Sequence, residues 1–167
     1  MIALDTNVLV RLIVADDEGQ TTAVRRLLDR AAAEGARLLV SAIVLCETVW
    51  VLRSRYDFDR AEIGAAVSSV LATDQLQVEL PAQTESALAA FVVGKGDIAD
   101  YLIRERAQGA GAVAVATFDR PLLRETGFVH PDPATWKSDL ELREATPRYG
   151  RRGRPRAAAA PTPASRS

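Results

Sequence analysis

The stretch Ile2-Ala3-Leu4-Asp5-Thr6-Asn7-Val8-Leu9-Val10-Arg11-Leu12-Ile13-Val14 decides how the rest of the chain is read. Ile2 to Leu4 is a short apolar run that reads as a first buried strand, and Thr6 to Val14 reads as the helix that follows it. Asp5 stands where one becomes the other. Working outward, the same alternation recurs. Gln20 to Ala33 carries apolar residues at helical spacing and closes at Gly35, where a C-terminal cap is expected. Leu38 to Val40 reads as a strand, Ala42 to Arg55 as a helix, and Asp59 to Leu71 as another helix with Asp59 as its N-cap. Gln77 to Leu80 reads as a strand, Thr84 to Val93 and Ile98 to Gln108 as helices, Ala112 to Ala116 as a strand, and Phe128-Val129 as a short last one.

Strands alternating with helices predict an α/β fold, a three-layer α/β/α sandwich around a mostly parallel central sheet of four to five strands. In such folds ligands collect at the carboxyl ends of the strands. The ordered domain is expected over 1–146. From Pro147 to Ser167 the chain is Arg, Pro, Ala, Gly and Ser with nothing to bury, so a disordered tail is expected. That tail reads as a solvated terminus in preference to an arm that touches RNA phosphates.

Composition narrows the classes. The longest apolar run, Leu38 to Cys46, falls far short of the roughly 20 residues a membrane span requires. No basic-then-apolar leader precedes Asp5, and the expected location is the cytoplasm. Cys46 is the only cysteine, which removes internal disulfides and thiolate metal sites. The net charge of −1 conceals an asymmetry: six arginines follow Thr146, and without them positions 1–147 hold 15 basic and 22 acidic residues, a net of −7. Nucleic-acid binders usually show the opposite balance. Bound cations would reconcile an acidic core with an anionic ligand.

The carboxylates are where chemistry is expected. Asp5 alone would read as an N-cap. Asp119, in Thr117-Phe118-Asp119, repeats the strand-end placement, and two aspartates at one edge of a parallel sheet are costly neighbours unless a cation holds them. Glu47 is the only charge in Ala42 to Leu52, a segment so apolar that the helix reads as buried all round; the carboxylate then needs a partner, a cation or a structural arginine. Asp97 and Asp100 share a helix face; Asp97 also suits an N-cap, and Asp100 is the better candidate ligand because it precedes the apolar pair Leu102 and Ile103, which suits a residue facing inward. An oxygen-only donor set suits Mg²⁺ or Mn²⁺. Such ions activate water for phosphodiester displacement. His130 is the only histidine, which excludes a metal-free histidine pair, and neither a nucleophile elbow nor a phosphate-binding loop is present.

Four segments then carry a resemblance: Leu4-Asp5-Thr6-Asn7-Val8-Leu9-Val10-Arg11, Glu47-Thr48-Val49-Trp50-Val51-Leu52, Gly96-Asp97-Ile98-Ala99-Asp100-Tyr101-Leu102-Ile103, and Thr117-Phe118-Asp119. Together, over roughly 1–130, they resemble PIN-domain proteins, most nearly the VapC toxins of type II toxin-antitoxin pairs. The resemblance implies that Asp5, Glu47, Asp100 and Asp119 form a catalytic, metal-binding quartet for Mg²⁺ or Mn²⁺. It makes Asp97 an accessory acid, with Thr117 supporting Asp119 and Asn7 orienting Asp5. It further implies an endoribonuclease with an RNA substrate, a cognate antitoxin and a homodimer. Competing readings are a PIN nuclease of RNA processing or quality control, a Mg-dependent phosphoryl-accepting α/β domain, and a non-catalytic binding module. Thr6-Asn7 after Asp5, in place of a second aspartate, disfavours the phosphoryl acceptor.

Overall fold

The computed structural model describes residues 1–136; the tail at 147–167, and the domain boundary drawn at 146, lie outside the described residues. The most apolar strand, β2 (Leu38–Val40), is central, with Val40 fully buried. It pairs in parallel with β1 (Ile2–Ala3) through Ile2↔Leu38 and with β3 (Leu76–Val78) through Leu38↔Leu76 and Val40↔Val78. Between these strands run α1 (Thr6–Val14), α2 (Glu18–Ala33), α3 (Ala42–Tyr56) and α4 (Arg60–Ala72). After β3 come α5 (Pro81–Val93), α6 (Ile98–Gly109), β4 (Val115–Ala116) and β5 (Phe128–Val129), the last two again parallel. The result is the α/β/α sandwich that the alternation predicts, with one core running from Leu9 and Leu45 through Ile63 and Phe91 to Tyr101.

Local chemistry sets most element ends. Asp17 caps α2 by accepting the Gln20 N–H at 2.9 Å, which starts that helix before Gln20. Gly35, at φ +61°, closes it in the left-handed conformation that glycine adopts without penalty. Asp59 and Glu62 form a reciprocal capping box on α4. Pro81, with its φ already helical, opens α5 earlier than Thr84, and Leu80 in front of it turns left-handed at φ +52°, ending β3 at Val78 instead of Leu80.

Three expectations need correction. The strands do not form a single sheet of four to five: hydrogen bonding divides them into β1-β2-β3 and a separate β4-β5 pair. The strand expected from Ala112 begins only at Val115, because the Ala112 N–H is bonded back to Ala107 O at 2.9 Å, in the C-terminal turn of α6. Nor is the first strand buried. β1 hydrogen-bonds on one side only, leaving Ile2 59% exposed, and Leu4 is the residue of that segment that enters the core.

Candidate active site

Asp5 caps α1 from the end of β1. Its Oδ1 accepts the Thr6 N–H at 2.8 Å and its Oδ2 accepts the Asn7 side-chain amide at 3.1 Å, so the carboxylate is oriented by the two residues after it. The Thr6 hydroxyl, buried at the α1–α3 contact, donates to Glu47 Oε2 at 2.5 Å. Asp5 and Glu47 therefore face one cavity of about 300 Å³, which Asn7, Arg11 and Tyr56 also line. Arg11 does not neutralise them: its guanidinium bonds Asp16 at 2.6 Å and Tyr56 at 3.0 Å.

Glu47 corrects the reading of α3. The helix is not buried all round; Leu45, Val49 and Leu52 enter the core, while Glu47 is exposed beside Ile43 (77% exposed) and Trp50 (63%). An apolar sequence does not require burial, since much of a folded surface is apolar. The partner of Glu47 is a threonine hydroxyl, and among the described residues it makes no ion pair with an arginine.

A second acidic group gathers at the start of α6. Asp97 is the N-cap residue; its N–H donates to Asp100 Oδ2 at 2.8 Å, and its own carboxylate is exposed and ion-paired with Arg53. Asp100 is half-buried. Burial pushes its carboxyl above the ordinary aspartate value and the charges of Asp97, Asp119 and Glu125 push the same way, against the Asp97 N–H, which holds it down. Asp119 follows β4; Thr117 Oγ1 accepts its N–H at 3.0 Å, and its Oδ1 accepts the Leu122 N–H at 3.3 Å.

The structure thus brings Asp5 to Glu47, and Asp100 within electrostatic reach of Asp97 and Asp119. Among the described residues no three Asp, Glu, His or Cys side chains form a group that could hold an ion between them; the carboxylates are met by hydroxyl, amide and Arg53 donors. In chemistry the donor set fits a hard divalent cation, since every donor is a carboxylate oxygen.

Sequence reasoning missed Thr6, Arg53, Tyr101 and Glu125. The clue for Thr6 was its place directly after Asp5, on the first turn of a helix that packs on α3. Glu125 lies in a loop with no periodicity to mark it. Burial pushes its carboxyl up, but hydrogen bonds from the Tyr101 hydroxyl (2.6 Å) and the Lys95 N–H (2.7 Å), with help from Arg104 and Arg60, hold it below the ordinary glutamate value overall.

Comparison with known proteins gives the family. The PIN domain family profile matches residues 2–129. The chain is 26% identical over 130 residues to the VapC ribonuclease of Aquifex aeolicus, covering 78% of this chain and 95% of that protein. No solved structure matches the chain. A profile match spanning every strand and helix that carries the acidic residues places the chain in the PIN-domain family.

Proposed function

We propose that this chain is a metal-dependent endoribonuclease that hydrolyses RNA phosphodiester bonds and acts as the toxin of a type II toxin-antitoxin pair. The observation that supports the reading is geometric: Asp5 and Glu47, held by Asn7 and Thr6, face one cavity and make no ion pair with an arginine among the described residues, an oxygen-only pair that suits a divalent ion. The likeness to a VapC ribonuclease supports the RNA substrate and the antitoxin partner. Asp5, Glu47, Asp100 and Asp119 would hold Mg²⁺ or Mn²⁺, with Asp97 as an accessory acid. When bound, such a cation supplies a lowered pKa for the attacking water and charge neutralisation at the phosphate. The chain's own residues do the positioning: Asn7 and the Thr6 N–H fix the Asp5 carboxylate, Thr6 Oγ1 fixes Glu47, and Thr117 fixes the turn that presents Asp119.

A homodimer is part of the proposal. Ile43 and Trp50 stand outward seven residues apart on one face of α3, an apolar stripe that a second copy would cover. Among the described residues no helix is long and apolar enough to cross a membrane. A cytoplasmic location, where RNA and antitoxin are met, goes with this reading. The test is cleavage of a structured RNA with Mg²⁺ or Mn²⁺, with excess EDTA, and with Asp5→Asn. EDTA should abolish cleavage and the substitution should lower it at least about 100-fold, the upper range for disturbing even the surroundings of a metal ligand. Undiminished cleavage in either control overturns the proposal. Growth arrest on expression separates a toxin from a nuclease of RNA processing.

A further inference from the structure

An acidic domain that handles RNA needs a place for the phosphates on either side of the one being cut. A groove of about 960 Å³ opens between the Gly94-Lys95-Gly96 turn and the segment from Arg120 to Thr126. Its charge is the reverse of the chain's average: Lys95, Arg104, Arg120 and Arg124 line it against the single acid Glu125. Lys95, Arg120 and Arg124 are exposed, and among the described residues none of their side chains makes an ion pair or hydrogen bond. Arg104 is the floor. It is held by Glu105 at 2.9 Å and by Thr126 O at 3.1 Å, and it lies 5.1 Å from the Tyr101 ring centroid. Both Glu125 oxygens are already engaged, by the Lys95 N–H and the Tyr101 hydroxyl. The one negative group is thus turned into the wall and the cations are left free.

The position of the groove is as informative as its charge. Lys95 precedes Asp97 by two residues, and Arg120 directly follows Asp119. With successive Cα atoms about 3.8 Å apart, Lys95 and Arg120 lie no more than about 8 Å of chain from these acids, and Arg124 follows one short turn further on. The Lys95 turn is closely packed: a Cβ on Gly96 would come within 2.5 Å of Leu122 Cδ2, and the Gly96 N–H donates to the Tyr101 hydroxyl at 3.0 Å.

We propose that this groove seats the sugar-phosphate backbone of a single RNA strand as it leaves the acidic site. The inference rests on the nuclease reading, since a strand whose phosphate reaches Asp100 and Asp119 must continue past one of these turns. Lys95, Arg120 and Arg124 contact phosphates and give affinity without base preference.

The test uses the full chain carrying Asp5→Asn, so that RNA is bound and not cut; asparagine caps a helix as well as aspartate does. Binding of a labelled single-stranded RNA is followed by fluorescence anisotropy at several salt concentrations. Lys95→Gln/Arg120→Gln/Arg124→Gln should weaken binding at least tenfold at low salt. It should also flatten the salt dependence by about 2 in slope, from about 0.7 per phosphate contact on a single strand. Lys95→Gln alone should flatten it by about 0.7. The control Arg25→Gln/Arg26→Gln/Arg37→Gln removes the same charge from exposed positions elsewhere and should leave the slope within error. A groove variant that behaves like this control overturns the proposal, as does a parent chain that binds no RNA. If polyglutamate binding depends on the three residues while RNA binding does not, the groove belongs to an acidic protein partner and the proposal fails. Cleavage by the unsubstituted chain in Mn²⁺ is measured alongside. Cleavage with an unaltered salt slope sinks only the groove, whereas groove-dependent binding without cleavage sinks only the nuclease reading.

Discussion

Thr6 donates its hydroxyl hydrogen to Glu47 across 41 residues of sequence, and so joins the first acidic segment to the second. Thr6→Val keeps the shape and removes the donor. RNA cleavage should fall about tenfold or more, as it does when a ligand-orienting hydrogen bond is lost, and Thr6→Ser should restore most of it. A loss that serine does not rescue would mean the hydroxyl is only a packing feature. Glu125 offers a prediction in pH. Its folded-state carboxyl lies below the ordinary glutamate value, so its contribution to stability is present above that value, near pH 4.3, and is lost as pH falls through the folded one. In urea unfolding, the stability difference between the native chain and Glu125→Gln should be largest near neutrality and shrink below about pH 4. Asp5, Asp97, Asp100 and Asp119 were legible as residues because each stands at an element start or end, where periodicity breaks. Glu125 was not, because what marks it is a contact with Tyr101, 24 residues away.

α5 packs more extensively on α6 than on any other element, and the turn between them presents Asp97 and Asp100. Gly94 makes that join possible: a Cβ there would overlap the Tyr101 hydroxyl and lie 2.9 Å from Ala90 O. Gly94→Ala should cost about 1–3 kcal/mol, as overpacking of a tight contact does, read as a lowered urea midpoint with little change in m-value. A neutral effect would show that Tyr101 swings aside freely. The ends of α2, α4 and α5 were readable to within a few residues, since Asp17, Asp59 and Pro81 act through their own neighbours. For α3 the sequence showed a helix and not its orientation. Eleven residues from Ala42 to Leu52 with a single charge carry almost no amphipathic signal, and packing on α1, α4 and α6 decided which side turned out.

At the scale of the whole molecule, a bound cation should appear as stability, because an ion that binds only the folded chain shifts the unfolding equilibrium. Manganese at about 100 times its dissociation constant should add about 2.7 kcal/mol and raise the melting temperature. Asp100→Asn should abolish the rise, and a rise that persists in that variant would place the ion elsewhere. The sequence by itself determined the order of strands and helices, most of their ends, and the acids that stand at strand-to-helix junctions. These follow from periodicity, capping and turn chemistry, which act within a few residues. Only the tertiary structure decided that β4 and β5 pair apart from the other three strands and that Glu47 faces outward to meet Thr6. It also decided that Lys95 and Arg124 share a groove over a masked Glu125. Each depends on segments far apart in the chain packing together, and an apolar pattern states that a face is to be covered without stating by what.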